Sequence, residues 1–449
     1  MKKTLLSAAA FAVVAVSAVA VAPTTSEAIP AFARQTGAAC LSCHFQTFPA
    51  LNAFGRAFKM GSFTDVGEQA LVEDDNLSIP SVLNATVVVR GNYTSTKVTG
   101  STVAASNISS GAWNIPSETP ILIAGRLGSN TGAFIEFANG GAGAAPGATI
   151  AGSGTTAVAT VNGGSVVSVG NWQLLNSFDM GGFKVGVGAH NSSFGGSAVM
   201  EYSNVFGQHS GKLNGGFLSA IQNIGFAQNT LGVGVWAGND MGNLQVSLIA
   251  PNAAQGTNVN FKLATLVRGA LTTDVAGWDT LVGFGFVTGK AGRDANTLPA
   301  GVGPLPMNLW FIDAQAQGEI GDTSVGVYAD YANAKGKSVS NGAAVPVING
   351  NQYGFVAGNN LAGAKNTGWS LRADVKPLHN VGVGAGYGSY DSTSAAGVKT
   401  KIRNWQVGAF YEIYQNFEIN LLYNENKVTT AAATAVKTKA TTLEFEALM

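Results

Sequence analysis

Alternation of apolar and polar side chains limits the fold of this chain more than any other feature of its sequence. From about Leu83 to the C-terminus, apolar residues recur at every second position. In NLWFIDAQAQGEIG, for example, Trp310 and Ile312 lie on one face and Asp313 lies on the other. The stretches GWSLRADVK, NWQVGAFYEI and FEINLLYN behave in the same way. A period of two predicts β-strands with one apolar and one polar face.

The connections between these strands are alternately short and long. Long stretches rich in Gly, Ala, Ser, Thr and Asn separate seven tight turns, which lie near residues 128–131, 180–182, 239–242, 274–277, 321–323, 378–380 and 414–416. Seven turns and eight long connections join sixteen antiparallel strands, and this even number leaves both ends on one side. The strands of a water-soluble β-sandwich would also alternate between apolar and polar residues. Regular alternation of short turns and long loops is instead typical of a transmembrane outer-membrane β-barrel.

The third long connection, near residues 191–230, is open to two interpretations. It could fold into the lumen of the barrel as a constriction. It could instead contain one more pair of strands, which would give a barrel of about eighteen.

Composition also favours a membrane barrel. Hydrophobic residues make up 46% of the chain, charged residues only 11%, and there are 59 glycines. Soluble domains usually contain about 25% charged residues. After residue 28 no apolar run is long enough for a transmembrane helix. The net charge of zero gives no indication of nucleic acid as a partner, so membrane lipid is the partner that composition implies.

The amino terminus has the pattern of a signal peptide. MKK provides positive charge, TLLSAAAFAVVAVSAVAVA is an apolar run, and a small-residue cleavage pattern ends at Ala28. An uncleaved membrane anchor is the alternative, because the run approaches the roughly 20 residues that span a bilayer. The run has little Leu and the cleavage pattern follows it closely, so we expect cleavage after Ala28 and export to the outer membrane.

Cys40, Cys43 and His44 form the motif C-x-x-C-H and include both cysteines of the chain. This is the attachment signature of c-type haem, in which two thiols form thioethers to the haem and the histidine is an axial iron ligand. A disulfide or a chance match is the alternative. With two cysteines and four histidines in 449 residues a chance match is rare, so the sequence predicts one covalent haem c.

The sixth iron ligand is open. Met60 is the only methionine between the predicted signal peptide and the barrel, and it could be that ligand or a packing residue. His190, His209 and His379 fall in predicted loops or turns, where surface or lumen roles are expected. Apolar residues at near-helical spacing would cover the haem, namely Phe45, Phe48, Leu51, Phe54 and Phe58.

These patterns divide the chain into three parts. Residues 1–28 are the signal peptide, residues 29–80 a small and mostly helical monohaem cytochrome segment, and residues 81–449 the barrel. The middle segment is too short for an ordinary core of its own. We therefore expect it to plug the barrel or to cap its periplasmic mouth.

The segment AIPAFARQTGAACLSCHFQTFPALNAFGRAFKMGSF resembles the amino-terminal part of the fused outer-membrane cytochrome–porins, the family that contains the iron(II) oxidases of iron-oxidising bacteria. The resemblance covers about 35 residues. The matching positions are Pro30, Phe32 to Gly37, the haem motif, Phe48-Pro49, Phe54-Gly55-Arg56 and Phe58-Lys59.

The resemblance implies a single haem held at or within a porin of about sixteen strands. It implies an iron(II):cytochrome c oxidoreductase, in which extracellular iron(II) gives one electron to the haem, and a periplasmic c-type cytochrome or similar carrier accepts it. Two alternatives remain. The chain could move electrons outward or accept them from another surface donor, or it could be a diffusion porin with a structural haem plug. Residues that bind the iron substrate are not indicated.

Overall fold

A computed structural model describes residues 30–46, 50–67, 69–75, 77–100, 109–139, 148–151, 158–161, 167–192, 219–223, 230–251, 263–291, 305–335, 337–341, 345–350, 365–393, 397–430 and 435–449. The predicted signal peptide, Phe48 and His209 lie outside these residues. None of the helices in these ranges is long and apolar enough to cross a membrane.

Antiparallel strands from Ala85 to Leu448 form one closed barrel. They are β3 (Ala85–Thr99), β4 (Ser109–Glu118), β5 (Ile121–Gly128), β6 (Thr131–Asn139), β9 (Val167–Met180), β10 (Phe183–Ser192), β11 (Thr230–Asn239), β12 (Gly242–Pro251), β13 (Ala264–Val275), β14 (Trp278–Thr288), β17 (Leu309–Ile320), β18 (Thr323–Lys335), β21 (Lys365–Leu378), β22 (Val381–Thr393), β23 (Lys399–Tyr414), β24 (Phe417–Thr430) and β25 (Val436–Leu448).

The described strands occupy sixteen positions around the barrel. Both β4 and β5 pair with β3, at its two ends, so they share one position. β25 pairs with β3 and closes the ring. The predicted sixteen-stranded antiparallel barrel is confirmed, and because β10 pairs directly with β11, no further strand pair stands between them.

The remaining elements are short. Four helices are present in the described residues: α1 (Pro30–Thr36), α2 (Cys40–Cys43), α3 (Ala53–Met60) and α4 (Ala220–Asn223). Four two-stranded hairpins of the described residues are not strands of the barrel wall: β1 (Leu71–Glu73) with β2 (Ser78–Pro80), β7 (Ala148–Ala151) with β8 (Val158–Val161), β15 (Lys290–Ala291) with β16 (Leu305–Pro306), and β19 (Lys337–Asn341) with β20 (Val345–Gly350).

The barrel wall has apolar side chains on its outside and polar side chains on its inside, which is the reverse of a water-soluble protein. Outward-facing apolar side chains such as Val235, Phe284 and Leu371 are exposed, whereas inward-facing polar ones such as Gln245 and Arg268 are buried. Apolar surface of this extent is stable only against lipid. The outer face is therefore the membrane-facing surface of an outer-membrane barrel.

All seven predicted tight turns join neighbouring strands at one end of the barrel, which we call the short-turn end. The predicted long connections lie at the other, long-loop end, but the one predicted near residues 95–118 is shorter than expected. β3 continues to Thr99 and β4 begins at Ser109. Strand ends beyond the membrane carry polar residues on both faces, so the alternation fades although the strand continues.

Part of the third long connection lies in the lumen, as one of the two interpretations predicted. The backbone N–H groups of Ala220 and Ile221 in α4 donate to the carboxylate of Asp330 at 3.1 and 2.9 Å. Both residues belong to a buried apolar cluster with inward-facing side chains that include Leu266 and Phe311. We call this cluster the apolar layer. It fills part of the lumen towards the long-loop end.

Candidate functional site

The segment that carries the C-x-x-C-H motif is inserted into the short-turn end of the barrel. Leu51 contacts the wall there through its carbonyl oxygen, which accepts from Gln317 Nε2 at 3.2 Å. The Met60 carbonyl oxygen accepts from Trp236 Nε1 at 3.3 Å. Both barrel residues face inward within a few residues of a tight turn. The segment is therefore a plug in the mouth predicted to face the periplasm.

The motif itself forms one helical turn. Cys40 and Cys43 are the first and last residues of α2, so their side chains share a helix face. The two cysteines do not form a disulfide with each other. His44 follows in extended conformation, is buried, and pairs with Leu51 as an isolated β-bridge. Burial, together with the charge of Asp65, raises the pKa of Cys43 to about 11, so the side chain is a neutral thiol.

Asn52 and Gly55 hold α2 against α3. Asn52 caps α3 by accepting from Gly55 N at 2.9 Å, and its Nδ2 donates to the carbonyl oxygen of Ser42 at 3.0 Å. A side chain on Gly55 would overlap the carbonyl oxygen of Cys43. The close approach of the two helices therefore requires glycine. Sequence reasoning named Gly55 only within the family resemblance and did not single out Asn52, although Asn directly before a helical segment is a preferred N-cap residue.

Charged and amide side chains attach the plug to the barrel wall. Arg56 on α3 forms a two-pronged ion pair with Asp279, at 2.7 and 2.9 Å from its Nη2. Gln46 Nε2 donates to the carbonyl oxygen of Ser324 at 2.8 Å, and its own carbonyl oxygen accepts from Lys376 Nζ at 2.7 Å. These contacts lie two and twelve residues after His44, so they give the chain that follows the motif a fixed position relative to the wall.

Gln35 on α1 connects the plug to the start of the barrel. Its side chain is fully buried and donates to the carbonyl oxygens of Phe63 and Asp65 at 2.6 and 2.7 Å. Its Oε1 accepts from the backbone of Arg126 at 2.9 Å. Arg126 in turn donates to the carbonyl oxygen of Thr64 at 3.0 Å. Gln35 lies within the run that carries the family resemblance, and these contacts give it a structural role.

Met60 lies in an aromatic cluster between the plug and the wall. The cluster contains Phe58, Phe63 and Trp236, with Phe32 packed against it. The rings of Phe32 and Phe58 meet edge to face with centroids 5.2 Å apart. Met60 is 6% exposed, and its packing role is the one these contacts describe. Its role as sixth iron ligand stays a prediction.

The residues around the motif fit a covalently attached haem. Two thiols that form no disulfide lie on one helix face and an imidazole follows directly, which is the donor set that the group requires. Phe54, on the helix that packs against α2, is 47% exposed and offers an uncovered aromatic surface. Cys40, Cys43 and His44 would hold the group, and it would supply one-electron redox chemistry at this mouth.

Two of the other histidines can be placed. His190 lies within β10 and is buried on the inward face, whereas the sequence placed it in a loop or turn. The alternation of β10 extends further than the Gly-rich sequence suggested. His379 lies exposed in the turn between β21 and β22. Across the described ranges, no group of three or more His, Cys, Asp or Glu side chains is arranged to hold a metal ion.

Buried ion pairs line the lumen between the plug and the apolar layer. Arg268 and Asp313 lie 2.6 Å apart, and both side chains are 1% exposed. Arg372 and Asp374 lie 2.8 Å apart on one strand. Along the lumen, the described residues thus form a plug, a charged zone and an apolar layer that includes α4.

No family model matches the chain, and no curated protein is similar to it. OmpT of Vibrio cholerae is 12% identical over 85% of this chain and 100% of its own, with a TM-score of 0.47. The outer membrane channel DcaP of Acinetobacter baumannii is also 12% identical over 85% of this chain and 100% of its own, with a TM-score of 0.47. OccK2 of Pseudomonas aeruginosa is 11% identical over 85% of this chain and 100% of its own, with a TM-score of 0.44.

OmpT and DcaP are outer-membrane proteins, but likeness at this level carries no argument about activity. The closed strand order and the apolar outer face are the features that define the class of this chain. It is an outer-membrane β-barrel protein with a porin-like barrel and an amino-terminal plug.

Proposed function

We propose that this protein is an electron conduit of the outer membrane. One c-type haem bound to Cys40, Cys43 and His44 serves electron transfer across the barrel. The donor is iron(II) on the long-loop side and the acceptor is a one-electron carrier in the periplasm. Each turnover oxidises one iron(II) to iron(III) and reduces one carrier by one electron. Iron(II) as the donor rests on the family resemblance of the amino-terminal segment.

The observation that carries this proposal is the position of the motif. A haem-attachment sequence is held in the mouth of a membrane barrel by contacts before it, at Gln35, and after it, at Gln46 and Arg56. The wall of the barrel surrounds it with protein rather than lipid. Because the hydrocarbon layer is about 30 Å thick, an electron carrier inside it shortens the distance over which electrons must transfer.

The contents of the lumen favour electron transfer over diffusion of solutes. The plug occupies the short-turn mouth, and α4 with the apolar layer occupies part of the lumen beyond it. A diffusion porin needs a water-filled channel through the same space. Electrons need no such channel. A diffusion porin with a structural haem plug is therefore the second candidate.

The short-turn end is suited to a basic carrier. The plug exposes Asp65, Glu73, Asp74 and Asp75 there, and Asp240, Asp274, Glu319 and Asp322 lie exposed at or beside tight turns. An acidic face attracts a partner with a positive docking surface and speeds its association at low salt. A basic periplasmic cytochrome c is a carrier of this kind.

The proposal is tested by mixing the purified full-length protein with iron(II) in the absence of oxygen. We expect iron(II) to reduce the haem, which stopped-flow absorbance at the α-band follows. The variant His44→Ala should lose this reduction because the iron loses its axial ligand. The control His379→Ala, in an exposed turn, should react as the parent protein does.

Two results would contradict the proposal. A haem that iron(II) leaves oxidised, but that low-potential donors reduce, would favour outward electron transfer or another donor. Free passage of small sugars through the barrel in a liposome-swelling assay would favour the diffusion porin.

A further inference from the structure

Basic side chains form a band on the outer surface of the barrel at the long-loop end. Six of them lie on the neighbouring strands β23, β24, β25 and β3. They occupy the same outward-facing alternate positions as the lipid-facing residues, and they are Lys97, Lys401, Arg403, Lys427, Lys437 and Lys439. We call these six the basic band. Their opposing charges among the described residues are Asp391, which pairs with Arg403, and Glu425, which pairs with Lys437 and Lys439.

The register of the strands places like charges directly opposite one another. Lys427 stands between Arg403 on one neighbouring strand and Lys437 on the other. Lys439 stands opposite Lys97. Side chains directly opposite on a sheet have Cβ atoms about 5 Å apart, and like charges at that distance destabilise the sheet. Asp391 and Glu425 offset part of this repulsion, but six cations against two carboxylates leave four positive charges that need a further anion.

The rest of the chain does not supply that anion. Two carboxylates face six cations in the band, and both already form ion pairs. In the long connections outside the described residues, the sequence contains three basic residues, Lys212, Lys262 and Arg293, against two acidic ones, Glu201 and Asp294. These connections carry no excess of negative charge.

Aromatic side chains locate the band relative to the membrane. Outward-facing pairs Trp405–Tyr423 and Tyr93–Trp113 have ring centroids 5.1 and 4.9 Å apart. Trp and Tyr in such positions form the girdle at the boundary between hydrocarbon and headgroups. The band lies two to four residues beyond these rings on strands β3, β23 and β24, about 7–13 Å further along each strand. That is the level of lipid phosphates.

We infer that the basic band is a binding site for phosphorylated lipid headgroups of the outer leaflet. The headgroup phosphates lie between the opposing cations and remove their repulsion, while the acyl chains lie along the apolar wall below the aromatic girdle. A phosphorylated glycolipid is the ligand that combines both features. The site is separate from the haem motif, which lies at the opposite end of the barrel.

The test uses the full-length protein in discs of phosphatidylcholine, with or without the phosphorylated glycolipid lipid A. Bound lipid A is counted by native mass spectrometry as its concentration is varied. The variant Lys97→Gln/Lys427→Gln/Lys437→Gln removes three charges of the band. With about fivefold in affinity per basic residue near a lipid phosphate, we expect about a hundredfold weaker binding. The control Lys184→Gln, at the short-turn end, should bind as the parent protein does.

Thermal stability provides a second readout, in which the difference in melting temperature between the parent and the triple variant depends on whether lipid A is present. In phosphatidylcholine alone the triple variant should melt at the same temperature as the parent or higher, because repulsion has been removed. With lipid A the parent should gain stability and the triple variant should not. Equal lipid A binding by both proteins would overturn the inference, as would a parent that melts below the triple variant even with lipid A. Stabilisation by inorganic phosphate to the same extent would overturn the lipid as the source.

Discussion

The ion pair between Arg56 and Asp279 gives the sharpest test of how the plug is held. The two single substitutions should differ in cost, because the side chain of Arg56 is 9% exposed and that of Asp279 is 25% exposed. In Asp279→Asn, a buried guanidinium loses its counter-charge. We expect this variant to weaken docking of the plug by about 2–3 kcal/mol.

Arg56→Met keeps most of the volume of the side chain and leaves Asp279 at the edge of the lumen, where water can solvate it. We expect a smaller cost, about 1–2 kcal/mol, which includes the 3.3 Å hydrogen bond from Arg56 to the carbonyl oxygen of Leu51. The double variant should cost little more than Arg56→Met alone. The magnitude of the coupling energy is then close to the cost of Asp279→Asn alone, about 2–3 kcal/mol.

Hydrogen exchange of the α3 amides, followed by mass spectrometry on the folded protein, measures this docking. A loss of 2 kcal/mol corresponds to about a thirtyfold rise in local opening and in exchange rate. Barrel amides near the long-loop ends of β24 and β25 serve as the internal control and should not change. Unchanged exchange in α3, a larger effect for Arg56→Met than for Asp279→Asn, or a coupling energy below about 0.5 kcal/mol would refute the reasoning.

Three further substitutions test separate parts of the structure. A Cβ on Gly238 would lie 2.5 Å from the Sδ of Met60, so Gly238→Val should displace the end of α3 and cost about 1–3 kcal/mol, seen as faster exchange there. Ile221→Asp places a charge in the apolar layer and should raise the ion conductance of single barrels in planar bilayers, whereas an unchanged conductance would show that α4 does not restrict the lumen. Lys376→Gln leaves the buried carboxylate of Glu412, 2.6 Å away, without its cation, and about 3–5 kcal/mol of destabilisation should appear in denaturant unfolding.

The barrel could be predicted from the sequence because membrane strands expose one face to lipid. In β21, Trp369 and Leu371 face outward while Arg372 and Asp374 face inward, and this contrast is visible without any structure. Tight turns were equally clear. Strand ends beyond the membrane were not, since β4 begins with the polar residues Ser109 and Ser110 on its two faces and was assigned to a loop.

The haem motif was found from spacing alone, because three residues within five positions define it. Its contacts could not be predicted. Arg56 and Asp279 are 223 residues apart, and neither has a distinctive sequence context. The basic band could not be predicted from the sequence for another reason. The register between strands places Lys427 opposite Arg403 and Lys437. Loop lengths contribute to this register, and so does the irregularity between Glu412 and Tyr414 in the pairing of β23 with β24.

Electron transfer across a sealed membrane tests the central claim most directly. The full-length protein is reconstituted in liposomes that contain a ferric c-type cytochrome and a small fluorescent dye, and iron(II) is added outside without oxygen. The account predicts reduction of the enclosed cytochrome, no release of dye, and loss of the reduction in Cys40→Ser/Cys43→Ser. An enclosed cytochrome that stays oxidised, or that is reduced only when dye escapes, would contradict it.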